Sequence, residues 1–321
     1  MSTRTVLSEF SLKNLRIGRV KLSGLARREA RTGMLFITPW IIGFVLLTCL
    51  PMVASLAFCF TNFDLLHPEE TRLIGFRNFV ALWNDPLARQ SALVSLRYAL
   101  IALPIGIAQP VLMAGLLNAK NLWARRLFTT LFYMPYIVPL VSAVYIWRGV
   151  LNDRTGWINL FLERFGINPP DWLNSTQWIY PALVVVGLWG VGDMLLLTLA
   201  AMQGIATELY EAARVDGAGW LGMFRHITLP LTTPVIFYNC VLSLIGIFQY
   251  FLVPYVLNGG TGDPGNMTFF YGLHLYKEAF QYSKMGYAAT MAWVLFLFVL
   301  ALTVILFATG KYWVYYAAEE A

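Results

Sequence analysis

The chain has 321 residues, of which 58% are hydrophobic and only 12% charged, with a formal net charge of +6. A soluble domain carries charge at about 25% of its positions, so this composition excludes an ordinary water-soluble protein and points to one embedded in a bilayer. In such a chain the positive excess is not a nucleic-acid signal. It is read as topology, from where the Lys and Arg fall.

Residues 1–32 form a basic tail with Lys13, Arg16, Arg19, Lys21, Arg27, Arg28 and Arg31. The apolar run that follows, 33–60, exceeds the roughly 7–15 residues of a signal-peptide core and is expected to stay as a membrane span. Five further stretches reach the roughly 20 residues needed to cross a bilayer: 91–118, 127–150, 178–203, 231–257 and 286–309. Pro39, Pro51, Pro104, Pro110, Pro135, Pro139 and Pro254 interrupt them. Prolines are tolerated in membrane helices whose neighbours satisfy the freed carbonyls, so kinked helices in a bundle are expected. The expected fold class is an all-α membrane protein with six transmembrane helices. The basic tail, Lys120, Arg125, Arg126, Arg214, Arg225 and Lys311 fall on one side, which predicts an N-in/C-in orientation.

The remaining segments are loops. Residues 61–90 contain Gly75-Phe76-Arg77-Asn78-Phe79, and 151–177 contain Gly156-Trp157-Ile158-Asn159 and Pro169-Pro170-Asp171-Trp172. Residues 258–285 contain Asn258-Gly259-Gly260-Thr261-Gly262-Asp263-Pro264. His67, His226 and His274 are scattered over three loops, form no metal constellation, and read as surface residues. Cys49, Cys59 and Cys240 sit in apolar runs and offer neither a disulfide framework nor metal-ligand spacing.

Asp193 falls near the middle of the fourth span. A carboxylate at that depth costs about 2.5–3.5 kcal/mol, so it should face the bundle interior or water, either accepting a hydrogen bond from a solute or pairing with a neighbouring helix. Asn239, Phe248, Gln249, Tyr250 and Tyr255 add planar polar groups and rings to the fifth span. That mixture suits a hydroxylated solute, and suits helix packing as well.

Between the fourth and fifth spans, residues 204–230 form a polar island. Residues 208–216 read as a short helix that Gly217 and Gly219 end in the left-handed conformation. Trp220, Met223, Phe224 and Ile227 then recur at helical spacing as one apolar stripe, and Pro230 is expected to stop that second helix. Two short helices held outside the membrane with an exposed aromatic stripe make a docking surface for another protein.

The spacing of Glu211, Ala212, Ala213, Gly217, Ile227, Leu229 and Pro230 resembles the EAA loop of the membrane subunits of bacterial ABC importers of the type I fold. The Gly-x-x-Asn-Phe of 75–79 and the glycine pair at 259–260 are similar to the carbohydrate and glycerol-phosphate subgroup, although Thr261-Gly262-Asp263 is inserted before the proline. The resemblance implies a permease subunit in the bacterial inner membrane, with a second homologous permease, two cytosolic ATPase subunits and an extracytoplasmic solute-binding protein as partners. It implies a core unit over 91–310, with the first span packed on the partner permease. Glu211 would pair with a basic residue of the ATPase, Ala212 and Ala213 would permit close approach, and Gly217 would make the bend. Trp220 and Phe224 would fill the ATPase groove. The chain has no phosphate-binding Gly-x-x-x-x-Gly-Lys-Ser/Thr loop, so it needs no cofactor and ATP belongs to the partner. No Ser/His/Asp set or convergent acid–base group marks an enzyme. The alternative is an ATP-independent secondary transporter or channel, for which inverted repeats and broken midplane helices would be the signature.

Overall fold

The computed structural model describes residues 24–119 and 122–315. Most of the basic tail and Lys120 therefore lie outside the described residues. Every regular element among the described residues is helical, and one isolated bridge joins Thr61 to Leu73.

The chain divides into two units at Ser55 and Leu56. The first consists mainly of α1 (Gly24–Phe44) and a π-helical turn, Val45–Cys49, that leads into α2 (Leu50–Phe58) across the boundary. Within them Arg28–Phe58, 31 residues, is long and apolar enough to cross a membrane.

The second unit is built around α4 (Pro86–Leu117), which follows the short α3 (Arg77–Asn84). The start of α4 lies ahead of the expected residue 91 because Asp85 caps it. Its carboxylate accepts the Leu87 N–H, and Pro86 occupies the first turn, where a missing donor costs nothing. Small side chains such as Ala88, Ser91, Ser95, Ala99 and Ala114 are buried along α4, letting other helices approach closely. Those helices are α8 (Ile179–Trp189), α9 (Gly192–Gln203), α12 (Leu229–Phe248) and α14 (Tyr271–Tyr276). The last span, α15 (Met285–Gly310), packs on α12 and α3.

Two of the expected spans are not single helices. α5 (Arg125–Ile137) and α6 (Leu140–Val150) meet at a 105° bend, and α8 and α9 meet at 56°. The first break follows from proline: Val138, forced out of the helical region by Pro139, is extended. The second falls at Gly190 and Val191, between glycines rather than at a proline. The fifth expected span also stops early. α12 ends at Phe248, and a separate helix, α13 (Leu252–Asn258), follows. Among the described residues four helices are thus long enough to span alone, or up to six spans if each bent pair counts as one.

The loops are built structures. Asn78 is buried and donates to the carbonyls of Cys59 (2.9 Å) and Thr61 (2.8 Å). Asn159, in α7 (Trp157–Arg164), donates to the Asp153 and Pro170 carbonyls and accepts from the Trp172 indole at 2.7 Å. His274 is not the expected surface residue: it is 1% exposed, on α14. A polar loop suggests solvation throughout, whereas α14 lies against α4.

Candidate functional site

The polar island folds as α10 (Thr207–Val215), a turn, and α11 (Trp220–Met223). The turn is a Schellman closure: the Ala218 N–H reaches the Ala213 carbonyl at 2.8 Å while Gly217 holds φ +80. Gly219 is not left-handed as expected; it is extended at φ −75, ψ 170 and leads into α11. Pro230 does not stop the second helix. α11 continues through a π-helical turn, Phe224–Thr228, into α12, so Trp220–Phe248 is one helix of 29 residues. In the widened turn the Leu229 N–H bonds to the Phe224 carbonyl five residues back. That places Pro230 in the first turn of α12.

The aromatic stripe is also divided. Trp220 is 57% exposed, and its ring stacks on Phe224 at 5.8 Å. Phe224 itself rests on Gly115 of α4, where a Cβ would come within 2.8 Å of its ring. Ile227, Leu229 and Pro230 are half-buried, whereas Glu211 and Ala212 are exposed and Ala213 is half-buried. The Tyr210 hydroxyl lies 2.9 Å from the Thr228 hydroxyl, tying α10 to the π turn. Between these elements and the end of α4 lies a hollow of about 400 Å3, lined among others by Asn118, Tyr210, Arg214 and Trp220. The arrangement is a ledge with exposed Glu211 and Trp220, seated on the end of the central helix through Phe224.

A second hollow, of about 280 Å3, lies within the helix bundle between α4, α8, α9 and α12. Tyr98 and Tyr250 stand at it with their rings stacked at 5.3 Å, and Ser243 adds a hydroxyl. Gly106, Gly187 and Gly246, one from each of three helices, line it too, and a Cβ added at any of them would meet nothing within 4 Å. The structure brings only Tyr250 of the expected pathway residues to this hollow. Asp193 is exposed in the first turn of α9, and Gln249 is exposed at the end of α12. Asn239 is buried and donates to the Thr198 hydroxyl at 3.1 Å, a tie between α12 and α9. Phe248 is buried against Ala99 and Val299, and Tyr255 packs on Tyr276 and Gly260. Polarity picked out those positions; the glycines that make the hollow carry no polar signal.

Beneath the other end of α4, ionisable groups converge that the sequence had left apart. His274 Nε2 lies 3.4 Å from Glu278 and 4.0 Å from Asp85. Lys284 lies 3.4 Å from the other Glu278 oxygen, and the Tyr287 hydroxyl donates to Asp85 at 2.6 Å. Burial pushes the His274 ring below its usual range, against the pull of both carboxylates. Burial pushes Asp85 up, but the Tyr287 hydroxyl and the Leu87 and Ala88 amides together outweigh it and leave the carboxyl below its usual value.

Residues 86–314 match the family described as the binding-protein-dependent transport system inner membrane component. The chain is 36% identical over 306 residues to the probable ABC transporter permease protein YesP of Bacillus subtilis (strain 168), covering 94% of this chain and 97% of YesP. It is 31% identical over 273 residues to the arabinooligosaccharides transport system permease protein AraP of the same organism, covering 84% of this chain and 86% of AraP. Its fold is similar to that of a chain in a bacterial alginate ABC transporter crystallised with an alginate pentasaccharide-bound periplasmic protein. The TM-score is 0.76 at 23% identity, covering 90% of this chain and 98% of that one. With an all-helical bundle, several membrane-length helices and a match over most of its length, the chain belongs to the binding-protein-dependent transport system inner membrane components and is a permease subunit of an ABC importer.

Proposed function

We propose that this permease imports a sugar or oligosaccharide, handed over by an extracytoplasmic binding protein and driven by two cytosolic ATPase subunits docked on the ledge of residues 204–230. The observation that carries the coupling role is the ledge itself: α10 and α11 joined at a left-handed Gly217, with Glu211 and Trp220 exposed. The sugar class is supported by the likeness to AraP and by the stacked Tyr98 and Tyr250 at the interior hollow, since aromatic faces suit sugar rings.

In this reading six spans run N-in/C-in, each bent helix pair counting as one, and the core unit is 91–310. A second homologous permease completes the pathway. ATP closes the ATPase dimer, the two ledges approach, and the bundles rock between inward-open and outward-open states. ATP can drive this only by favouring one state over the other. Glu211 pairs with a basic ATPase side chain, and Ala212 and Ala213 allow close contact. Trp220 enters the ATPase groove, where burial contributes about 1.5–3 kcal/mol. Phe224, with Ile227, Leu229 and Pro230 behind it, works on the inner side, transmitting the push to α4 and α12. Of the expected pathway residues, Tyr250 is the one retained at the solute hollow. Asp193, exposed on α9, is assigned to the face toward the second permease.

The test is co-purification and import with Glu211→Ala and Gly217→Pro. Proline, fixed near φ −65, cannot adopt the φ +80 of position 217. Both variants should insert normally, lose the ATPase and stop importing. Normal import by either variant defeats the docking assignment. Solute movement by the chain alone in vesicles without ATP would instead favour a secondary transporter.

A further inference from the structure

The cluster of Asp85, His274, Glu278, Lys284 and Tyr287 has no part in the mechanism above, yet it is built around a buried histidine and a buried carboxylate, His274 and Glu278. It lies at one corner of the fold. Asp85 caps α4, His274 sits on α14, Glu278 lies on the π-helical turn Lys277–Gln281 that follows, and Lys284 and Tyr287 stand at the start of α15. The corner has other ties, and they are neutral. The Tyr271 N–H donates to the Ser95 hydroxyl of α4, and the Tyr271 hydroxyl donates to the Met291 carbonyl of α15.

The hydrogen-bond inventory around His274 is tight. Its Nδ1 lies 3.5 Å from the Ser91 hydroxyl, whose own hydrogen is directed at the Ala88 carbonyl at 2.9 Å. That hydroxyl can turn to Nδ1 instead, so the contact joins His274 to α4 in either ring tautomer. Nε2 stands beside the Glu278 and Asp85 carboxylates and makes no hydrogen bond. A second proton puts a charge on a ring that is buried. The other groups facing the ring are Lys277, Lys284 through Glu278, and Tyr287 through Asp85. Lys277 is occupied with the Gly260 carbonyl at 3.0 Å and lies over the Phe269 ring, which itself packs on His274.

We propose that His274 is a positioning residue for transport: as the neutral ring it bolts the α14–α15 corner to the start of α4, and its protonation loosens that corner. Under the proposed topology the corner faces the binding protein, so delivery of solute becomes pH-sensitive; this consequence rests on that reading, whereas the bolt itself does not. The sign follows from burial. A histidine whose ring titrates below its usual 6.5 in the closed corner and near it when solvated binds more protons in the open state. The closed corner is then fully stable above about pH 6.5 and weakens as pH falls through the interval below it.

The experiment is hydrogen–deuterium exchange of the full chain in lipid nanodiscs between pH 7.5 and 5, corrected for the intrinsic pH dependence of amide exchange. Wild type should lose protection in the segments around 271–285 and 85–91 as pH falls below about 6.5, while the rest of α12 and α15 stays protected. His274→Gln, which keeps polar groups at the ring's position and does not titrate, should show no such step. Glu278→Gln removes a carboxylate that favours the protonated ring, so its step should move to lower pH. Exchange that is flat with pH in wild type overturns the proposal, as does a step that survives in His274→Gln or an unmoved midpoint in Glu278→Gln. The chain is measured alone, so a negative result leaves the importer reading standing. A positive result with pH-independent import would instead count against the outward placement of this corner.

Discussion

The seat of Phe224 on Gly115 gives the most direct handle on coupling. A Cβ at 115 would lie 2.8 Å from Phe224 Cε2 and 3.6 Å from two further ring atoms. Ordinary carbon contacts fall at about 3.5–4.0 Å, so the ring must retreat by about 1 Å. In Gly115→Ala the gain in helix propensity, about 1 kcal/mol, offsets much of an overpacking cost of about 1–3 kcal/mol. Little net change in stability is expected there. Gly115→Val forfeits part of that gain and adds two methyl groups at the contact, so a net loss of about 2–3 kcal/mol is expected. Because Phe224 stacks on Trp220 and begins the π turn into α12, the displaced ring carries the ledge with it. Import by Gly115→Val should fall while membrane insertion persists. Adding Phe224→Leu should restore part of both import and melting temperature in nanodiscs, a double-mutant coupling of at least about 0.5 kcal/mol. Normal import by Gly115→Val, or strict additivity in the double mutant, would refute the idea that the ledge is registered through this contact.

Gly246→Leu should fill the interior hollow and block import with the melting temperature nearly unchanged, because a Cβ there meets no atom within 4 Å. Import at the wild-type rate would mean that solute passes elsewhere. Asn78→Ala should destabilise the second unit by about 1–2 kcal/mol, since it strips the part-buried Thr61 carbonyl of its side-chain donor. The Thr290 hydroxyl, 3.0 Å from the Gly286 carbonyl and 3.3 Å from that of Cys59, can turn to the latter, which limits the loss. A thermal melt unchanged by Asn78→Ala would show that the loop is not held by this side chain.

The parts of this molecule that were legible in the sequence are those set by local rules. Long apolar runs located the spans to within a few residues at 91–118 and 286–309, against Pro86–Leu117 and Met285–Gly310. Spacing located the ledge, and glycine chemistry explained Gly217. Asp85-Pro86 was a readable helix start that the hydropathy reading passed over, because hydropathy sees the apolar run and not its cap. What was not legible depended on contacts distant in sequence. His274 is buried because α14 folds back on α4, 183 residues from Ser91. The interior hollow is shaped by glycines on three helices, which register in no search for polar or aromatic side chains. The expectation that broken helices would mark a secondary transporter also fails as a discriminator: two bent pairs occur here, in a chain of the ABC importer family.

The misread Pro230 has a physical explanation that recurs elsewhere in the chain. In an α-helix a proline at position i removes one donor, and its ring collides with the carbonyl at i−4, which is why it reads as a stop. Here the five residues Phe224–Thr228 widen into a π turn before Leu229-Pro230, and Val45–Cys49 do the same before Leu50-Pro51. In both cases the leucine N–H bonds to a carbonyl five residues back, at Phe224 and at Val45. The extra residue in the turn relieves the crowding around the proline without ending the helix. One inserted residue also rotates everything before the turn by about 100° relative to everything after it. In the first case that rotation acts between the stacked Trp220 and Phe224 ahead of the turn and Leu229 and Pro230 behind it, and Phe224 meets Gly115 while Trp220 stays exposed. A proline that would end a soluble helix therefore acts, inside a membrane-length one, as the element that sets the angle between ledge and bundle. The same device explains why a motif ending in Leu-Pro can continue as one helix instead of breaking into a loop.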